Sequence, residues 1–275
     1  MGILNVTPDS FSDGGCYLSL DDALRRAEAM LDEGAALIDV GGESSRPRGA
    51  AYGAGADAVP AQEERRRVLP VVKAIAGRFP EALISVDTYK PEVARAALEA
   101  GAHLVNDITG LRYYPEMARV AAEARAPLVV MPALGRPGDM PHEHRYTDVV
   151  HEVRASLRQS VRVAEEAGVR HIITDPGFGF GKTPAENLRL IDRVDTLLAL
   201  GRPVLVGLSR KRTIGVTLGR PEAPVEARLF GTLGATAVAV LRGATLVRTH
   251  DVRPTVEMLR VLAAVANGNG LLEKG

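Results

Sequence analysis

Residues 172 to 182 read IITDPGFGFGK: three apolar or β-branched side chains, a carboxylate, then glycines alternating with two of the chain's five phenylalanines. The run from Val169 to Thr174 predicts a buried strand, so Asp175 falls where the strand ends and a glycine-rich turn begins. In parallel α/β architectures that end of the strand is where ligands bind. There Asp175 can accept hydrogen bonds from a flat N–H edge, while Phe178 or Phe180 offers an apolar wall to a ring. Two nucleotide-binding motifs are excluded. Gly181, Lys182 and Thr183 imitate the end of a phosphate-binding loop, but Pro176 stands where its first glycine is required. Lys182 likewise takes the place of the third glycine in a GxGxxG turn.

Outward from this stretch the same strand-then-helix alternation runs through the chain. Upstream, Gly2 to Val6 is a short apolar strand, and Asp21 opens a helix that Gly34 closes. ALIDVGGESS from Ala36 then leads to a helix near Pro60 to Arg78, and LISVD from Leu83 to one near Pro91 to Ala100. HLVND from His103 precedes a helix near Pro115 to Ala124, and PLVVM from Pro127 precedes a long one near Thr147 to Ala167. Downstream come a helix near Ala185 to Leu200, PVLVGLS from Pro203, a helix near Pro224 to Leu241, TLVRTHD from Thr245 and a last helix near Pro254 to Ala266. Alternating elements imply parallel pairing with right-handed crossovers, and eight such units favour a closed (β/α)₈ barrel, one domain over residues 1–275. The long connections Thr7 to Leu20 and Ser44 to Val59 both follow strands and so rise at the catalytic face.

Composition narrows the function. A chain of 275 residues, 46% hydrophobic, can bury a large core. Zero formal net charge suggests neither a nucleic-acid partner nor a basic membrane surface. Cys16 is the only cysteine, which excludes a disulfide framework and a cysteine-based zinc site and fits a reducing cytoplasm. No apolar run reaches membrane-spanning length, and no charged segment followed by an apolar one opens the chain.

A barrel gathers its strand ends onto one ring, and here they carry coherent chemistry: Asn5, Glu43 with Ser45 and Arg46, Asp87, Asn106, Met131, Asp175, Ser209 with Lys211, and Arg248 with His250. Taken singly, an Asp after a strand is a helix cap or turn former and an Arg or His there meets solvent. Together, Asp87, Asn106 and Asp175 provide acceptors and an amide able to read the edge of a fused heterocycle. Asn5, Arg46, Arg248 and His250 suit an anion such as pyrophosphate and its metal.

The strings GILNVTPDSFSDGG, IDVGGESSRP, SVDTYKPEVA, NDITG, IITDPGFGFGK, VGLSRKR and VRTHDV, in order from Gly2 to Val252, strongly resemble the motifs of the dihydropteroate synthase family. The resemblance implies a (β/α)₈ enzyme of folate biosynthesis. Such an enzyme joins 6-hydroxymethyl-7,8-dihydropterin pyrophosphate to para-aminobenzoate and releases pyrophosphate, with Mg²⁺ and as a homodimer. It assigns pterin contacts to Asp87, Asn106, Asp175, Lys211 and Arg248, with Met131, Phe180 and Gly207 as walls. It gives pyrophosphate to Asn5, Arg46, Arg248 and His250, with Asn5 as the Mg²⁺ ligand. Para-aminobenzoate falls to Ser45, Arg46, Pro47, Phe180, Lys211 and Arg212, its carboxylate at the start of the helix after Lys211. Lys211, Arg248 and His250 are the implied catalytic groups.

The chain departs from the family pattern in several places. Met131-Pro132-Ala133-Leu134 replaces Met-His-Met, Ser45 replaces threonine, and Arg212 stands where some members have serine. Extra residues at Ala50 to Ala58, small and glycine-rich, predict a loop ordered only by ligands, and the sequence starts at Met1 without the short segment usual before the first strand, either a start-site artefact or a real loss of the barrel floor. The MPAL change and enlarged loop motivate a second reading, a pterin-binding paralogue with little or no synthase activity. A third, a pterin-binding corrinoid methyltransferase domain, is disfavoured because ESSRP, SRK and RTH are retained. His142, Glu143 and His144 lack the i, i+4 spacing of a helical zinc site, and Arg65 to Arg67 read as a solvated helix face.

Overall fold

Among the described residues eight short strands alternate with helices, and hydrogen bonds close the strands into a ring. The structure is a computed structural model in which residues 1–7, 19–44, 58–135 and 146–266 are described. The strands are β1 (Gly2–Asn5), β2 (Leu37–Gly41), β3 (Leu83–Asp87), β4 (Leu104–Asp107), β5 (Leu128–Val130), β6 (Ile172–Thr174), β7 (Leu205–Val206) and β8 (Leu246–Val247). β1 to β6 lie side by side in sequence order, and β7 pairs with β8, all parallel. Single parallel bridges complete the circuit, Thr174 to Val204 on one side and Gly2 to Thr249 on the other. At the second seam Ile3 N–H donates to the Thr249 carbonyl at 3.0 Å.

Side-chain alternation then sorts each strand. Leu104, Val129, Ile173 and Leu205 form one buried cluster against which Met1, Leu37 and Leu246 pack, a meeting that residues from so many strands can achieve only inside the ring. Two residues further along, on the same face of each strand, stand Asn106, Met131, Asp175, Gly207 and Arg248. The opposite faces, with Val40, Val86, Val130 and Ile172, pack against Met30, Ile75, Met117, Leu157 and Leu190 of the surrounding helices. Each such aliphatic side chain contributes about 1.5–3 kcal/mol by leaving water.

The helices are α1 (Leu20–Asp32), α2 (Ala61–Arg78), α3 (Pro91–Glu99), α4 (Glu116–Glu123), α5 (Val149–Glu166), α6 (Pro184–Asp192), α7 (Arg212–Thr217), α8 (Leu229–Leu241) and α9 (Val252–Ala266). Side chains start several of them: Ser19 caps α1, Asp148 caps α5, and Thr183 with Glu186 forms a capping box on α6.

Three expectations need correction. The helix expected from Ala185 to Leu200 divides, because α6 ends at Asp192 and a 3₁₀ turn occupies Val194–Leu200. The break is at Arg193, whose carbonyl accepts both the Thr196 N–H (3.1 Å) and the Thr196 hydroxyl (2.7 Å), a local bond that competes with helix continuation. The segment from Pro224 begins as a 3₁₀ turn, Val225–Arg228, and only then becomes α8. The last helix starts at Val252, since Pro254 in its first turn has no needed N–H to lose. Ser45, Arg46, Pro47, Cys16, His142, Glu143, His144 and positions 50–57 of the enlarged loop lie outside the described residues.

Candidate active site

Arg248, just past β8, turns its side chain into the ring. Its Nε donates to Asp39 Oδ2 at 2.6 Å and a terminal nitrogen donates to Asp87 Oδ2 at 2.7 Å. Asn106 Nδ2 adds a 3.3 Å bond to the same oxygen of Asp39, which is fully buried. Burial pushes the Asp87 carboxyl above the usual range, the Arg248 guanidinium opposes this, and the Asp39 charge adds to it. Asp39 was not among the expected site residues. Its signal was an acidic residue in the centre of LIDVG, on the same strand face as Leu37. The neighbouring Asp107 is the opposite case: it faces away and accepts from Thr109 N–H and Leu111 N–H, holding the turn after β4.

The IITDPGFGFGK turn folds around two ammonium groups. Asp175, half-buried, accepts the Gly177 N–H at 2.6 Å. Lys182, buried, donates to the carbonyls of Gly177 and Phe180, both at 2.9 Å. Lys211 donates to the Phe178 carbonyl, with its ammonium 4.6 Å from the centre of the Phe180 ring. Its stem passes so close to Gly179 (φ +82°) that a Cβ there would lie 2.8 Å from Lys211 Cδ, so only glycine fits. Phe178 is wholly buried in the core, which leaves Phe180 as the available wall. Burial raises the Asp175 pKa, opposed by the Lys211 charge, and burial lowers Lys182 to about 7 and Lys211 to about 8. Asn187, which sequence reading passed over, accepts the Gly179 N–H at 2.7 Å and donates to Thr213 Oγ1 at 3.0 Å, joining this turn to α7.

The SRK and THD strings interlock. Ser209 Oγ accepts the His250 N–H at 3.1 Å and lies 3.0 Å from His250 Nδ1, while Arg210 forms a fork on Asp251 at 3.0 and 2.6 Å. Arg210 holds an unusual φ of 61°, braced by that fork, and so aims Lys211 at the glycine turn. Burial, aided by the Arg248 charge, pushes His250 down to about 3, so its imidazole is neutral. A histidine held neutral in the fold and protonated when unfolded weakens the fold as pH drops from its unfolded value of about 6.5 toward about 3. Thermal unfolding from pH 7 to 4 should therefore fall less steeply for His250→Gln than for the parent; parallel curves would contradict the assignment.

The remaining expected residues divide. Asn5 ends β1 beside Gly41, where a Cβ would lie 3.5 Å from Asn5 Oδ1 and 3.6 Å from Asp87 Oδ2, so the glycine keeps the space between two oxygens open. Met131 is buried behind Gly177, and Gly207 leaves room beside Arg248. Arg212 opens α7 next to Lys211. Glu43 turns away to Lys90, which also meets Glu64, with the Tyr89 O–H donating to Glu43 at 2.8 Å.

With this geometry in place, residues 1–250 match the family model described as pterin binding enzyme. The dihydropteroate synthase of Escherichia coli is 46% identical over 266 residues, covering 96% of this chain and 90% of that protein. The chain belongs to the dihydropteroate synthase family of pterin binding enzymes. A probable bifunctional folylpolyglutamate synthase/dihydropteroate synthase from Haloferax volcanii is 48% identical over 98% of this chain, which spans 31% of that longer relative. The solved structure of Xanthomonas albilineans dihydropteroate synthase with 4-aminobenzoic acid superposes with a TM-score of 0.86 at 46% identity, covering 97% of this chain and 92% of that one. Family membership agrees with the closed barrel.

Proposed function

We propose that the chain is a working dihydropteroate synthase, joining 6-hydroxymethyl-7,8-dihydropterin pyrophosphate to para-aminobenzoate to give 7,8-dihydropteroate and pyrophosphate. The observation that carries this reading is the convergence of Asp87, Asn106 and Asp175, from three separate strands, on one mouth with Lys211 and Arg248. The carboxylates accept N–H bonds from the pterin's amino-pyrimidine edge, and the Phe180 ring and Met131 flank its plane.

The C–O bond to pyrophosphate breaks ahead of C–N bond formation, and the cation left on the pterin methylene is delocalised into the ring. Asp87 and Asp175 favour that positive charge. Arg248 and neutral His250 donate to the departing pyrophosphate, and Arg46 joins them. The amine of para-aminobenzoate attacks the methylene carbon and loses a proton, so no protein nucleophile is needed. Ser45, Arg46, Pro47, Phe180, Lys211 and Arg212 hold para-aminobenzoate.

Mg²⁺ fits this arrangement in one way only. Among the described residues no group of three His, Cys, Asp or Glu side chains could hold a metal, whereas Asn5 Oδ1 offers a single neutral oxygen beside the open space at Gly41. Mg²⁺ keeps its waters and prefers phosphate oxygens, so pyrophosphate would bring it and Asn5 would add one ligand; bound there, it neutralises charge on the leaving group. Calorimetry should accordingly detect weak Mg²⁺ binding to the protein alone and much tighter binding with pyrophosphate present. Tight binding without pyrophosphate would contradict this.

A homodimer and a cytoplasmic location complete the reading. Phe230 and Leu241, on one face of α8, and Val261 and Val265, on one face of α9, are strongly exposed apolar side chains that suit a covered surface. Among the described residues no helix is long and apolar enough to cross a membrane. Incubation with dihydropterin pyrophosphate, radiolabelled para-aminobenzoate and Mg²⁺ tests the function. Labelled dihydropteroate is expected; a protein that binds the pterin yet makes no product would instead be a binding module.

A further inference from the structure

We propose that Asp39 is a positioning residue that decides which end of the Asn106 amide, and which nitrogens of Arg248, meet the bound heterocycle. The inference rests on the reading of the barrel mouth as a pterin site. Strand register sets the stage: Gly41, Asp87 and Asn106 lie in one row across β2, β3 and β4, and Asp39 lies one layer beneath, level with Ser85.

An ionised carboxylate can only accept hydrogen bonds. Asp39 Oδ2 takes one from Arg248 Nε at 2.6 Å and one from Asn106 Nδ2 at 3.3 Å. The amide of Asn106 thus commits its NH₂ end to the layer below and presents Oδ1 to the mouth. Nε of Arg248 is likewise committed to Asp39 and one terminal nitrogen to Asp87. The row that a ligand meets is then made of acceptors, from Asp87, Asn106 and Asp175, as an edge of N–H groups requires. Were Asn106 reversed, a donor would interrupt that row.

The pattern of partners separates this role from a plain core ion pair. Asp39 is fully buried, its other oxygen Oδ1 has no protein partner among the described residues, and both of its side-chain bonds run to residues at the mouth. The charges facing Asp87 are Arg248, Asp39, Glu64 from α2, Asp107 from β4 and Lys211, and the amino group of Met1 faces Asp39. Neutralising Asp39 removes one like charge from Asp87.

The test is calorimetric titration of the full chain with 6-hydroxymethyl-7,8-dihydropterin, comparing the parent, Asp39→Asn, Asn106→Ala and the double variant. Asp39→Asn should weaken binding about tenfold or more, because an amide no longer dictates which end of the Asn106 amide faces it, and should lower the melting temperature, since Arg248 then keeps Asp87 but not Asp39 as counter-ion. In the Asn106→Ala background its effect should shrink several-fold, because part of it acts through that amide. The acid limb of pterin binding should also move to lower pH in Asp39→Asn, which a purely structural role would not produce. Should Asp39→Asn fail to fold, Asp39→Ser carries the same expectations. Parent-like binding by a folded variant, or fully multiplicative effects with an unmoved acid limb, would overturn the proposal while leaving the pterin reading intact. A parent that does not bind the dihydropterin at all would overturn both.

Discussion

The Arg248→Met protein is expected to melt roughly 6–20 °C below its parent and to lose about a hundred- to a thousandfold in synthase turnover. Arg248 is the cation that compensates Asp39, which is fully buried, and Asp87, which is mostly so. Removing one partner of such a pair costs about 3–5 kcal/mol, because the remaining charge has neither water nor a counter-ion. The stability loss is reversible by design: Asp39→Asn in the same chain should recover part of it, since the orphaned charge is then gone. Activity should not return, as the donor to the leaving group is still missing. Differential scanning calorimetry and the synthase assay separate the two effects. Unchanged melting in Arg248→Met would mean that the guanidinium does not carry the charge balance of the ring.

Asp175→Asn should weaken dihydropterin binding about thirty- to a thousandfold, or about 2–4 kcal/mol, with little effect on folding. The side chain keeps its shape, and its Oδ1 can still accept the Gly177 N–H that the native residue takes at 2.6 Å, so the turn survives. Its other end becomes a donor and meets the N–H groups of the pterin head-on, losing a charge-assisted bond. Dihydropterin affinity and melting temperature are to be measured side by side. Normal affinity would make Asp175 a turn former, and an unfolded variant would make it structural.

The fold was legible because each βα unit announces itself locally. An apolar run, a polar or glycine-rich turn and an amphipathic stretch repeat eight times, and a barrel of such units gathers Asn106, Asp175 and Arg248, at their strand ends, onto one ring. What escaped was set by particular side-chain bonds. The break at Arg193 depends on a hydroxyl bond from Thr196, and helix propensity alone does not register it. Asp39 offers locally no more than an acid within an apolar strand, and its charge partner, Arg248, is 209 residues away in sequence. Lys182 read as a motif decoy, yet its ammonium stitches the glycine turn from within. Asp39 draws its meaning from across the ring, whereas Lys182 and Thr196 bond within five residues of themselves.

Such cross-ring partners also explain why the motifs occur as sets. SRK needs THD, because Ser209 holds His250 and Asp251 holds Arg210. The glycine turn needs α7, because Asn187 bridges to Thr213 while Lys211 lies across Gly179. Aspartates at the mouth need the arginine past β8. A ring of short strands with interlocked ends presents several acceptors to one planar ligand without a mobile scaffold beneath them.

The most direct test of the account is a crystal structure of this protein with a bound 6-hydroxymethyl-7,8-dihydropterin. It should show the amino-pyrimidine edge within hydrogen-bond distance of the Asp175 carboxylate and of Asn106 Oδ1, with the ring between Met131 and the Lys211–Phe180 side of the mouth. A pterin seated elsewhere, or one whose N–H edge avoids Asp175, would contradict it.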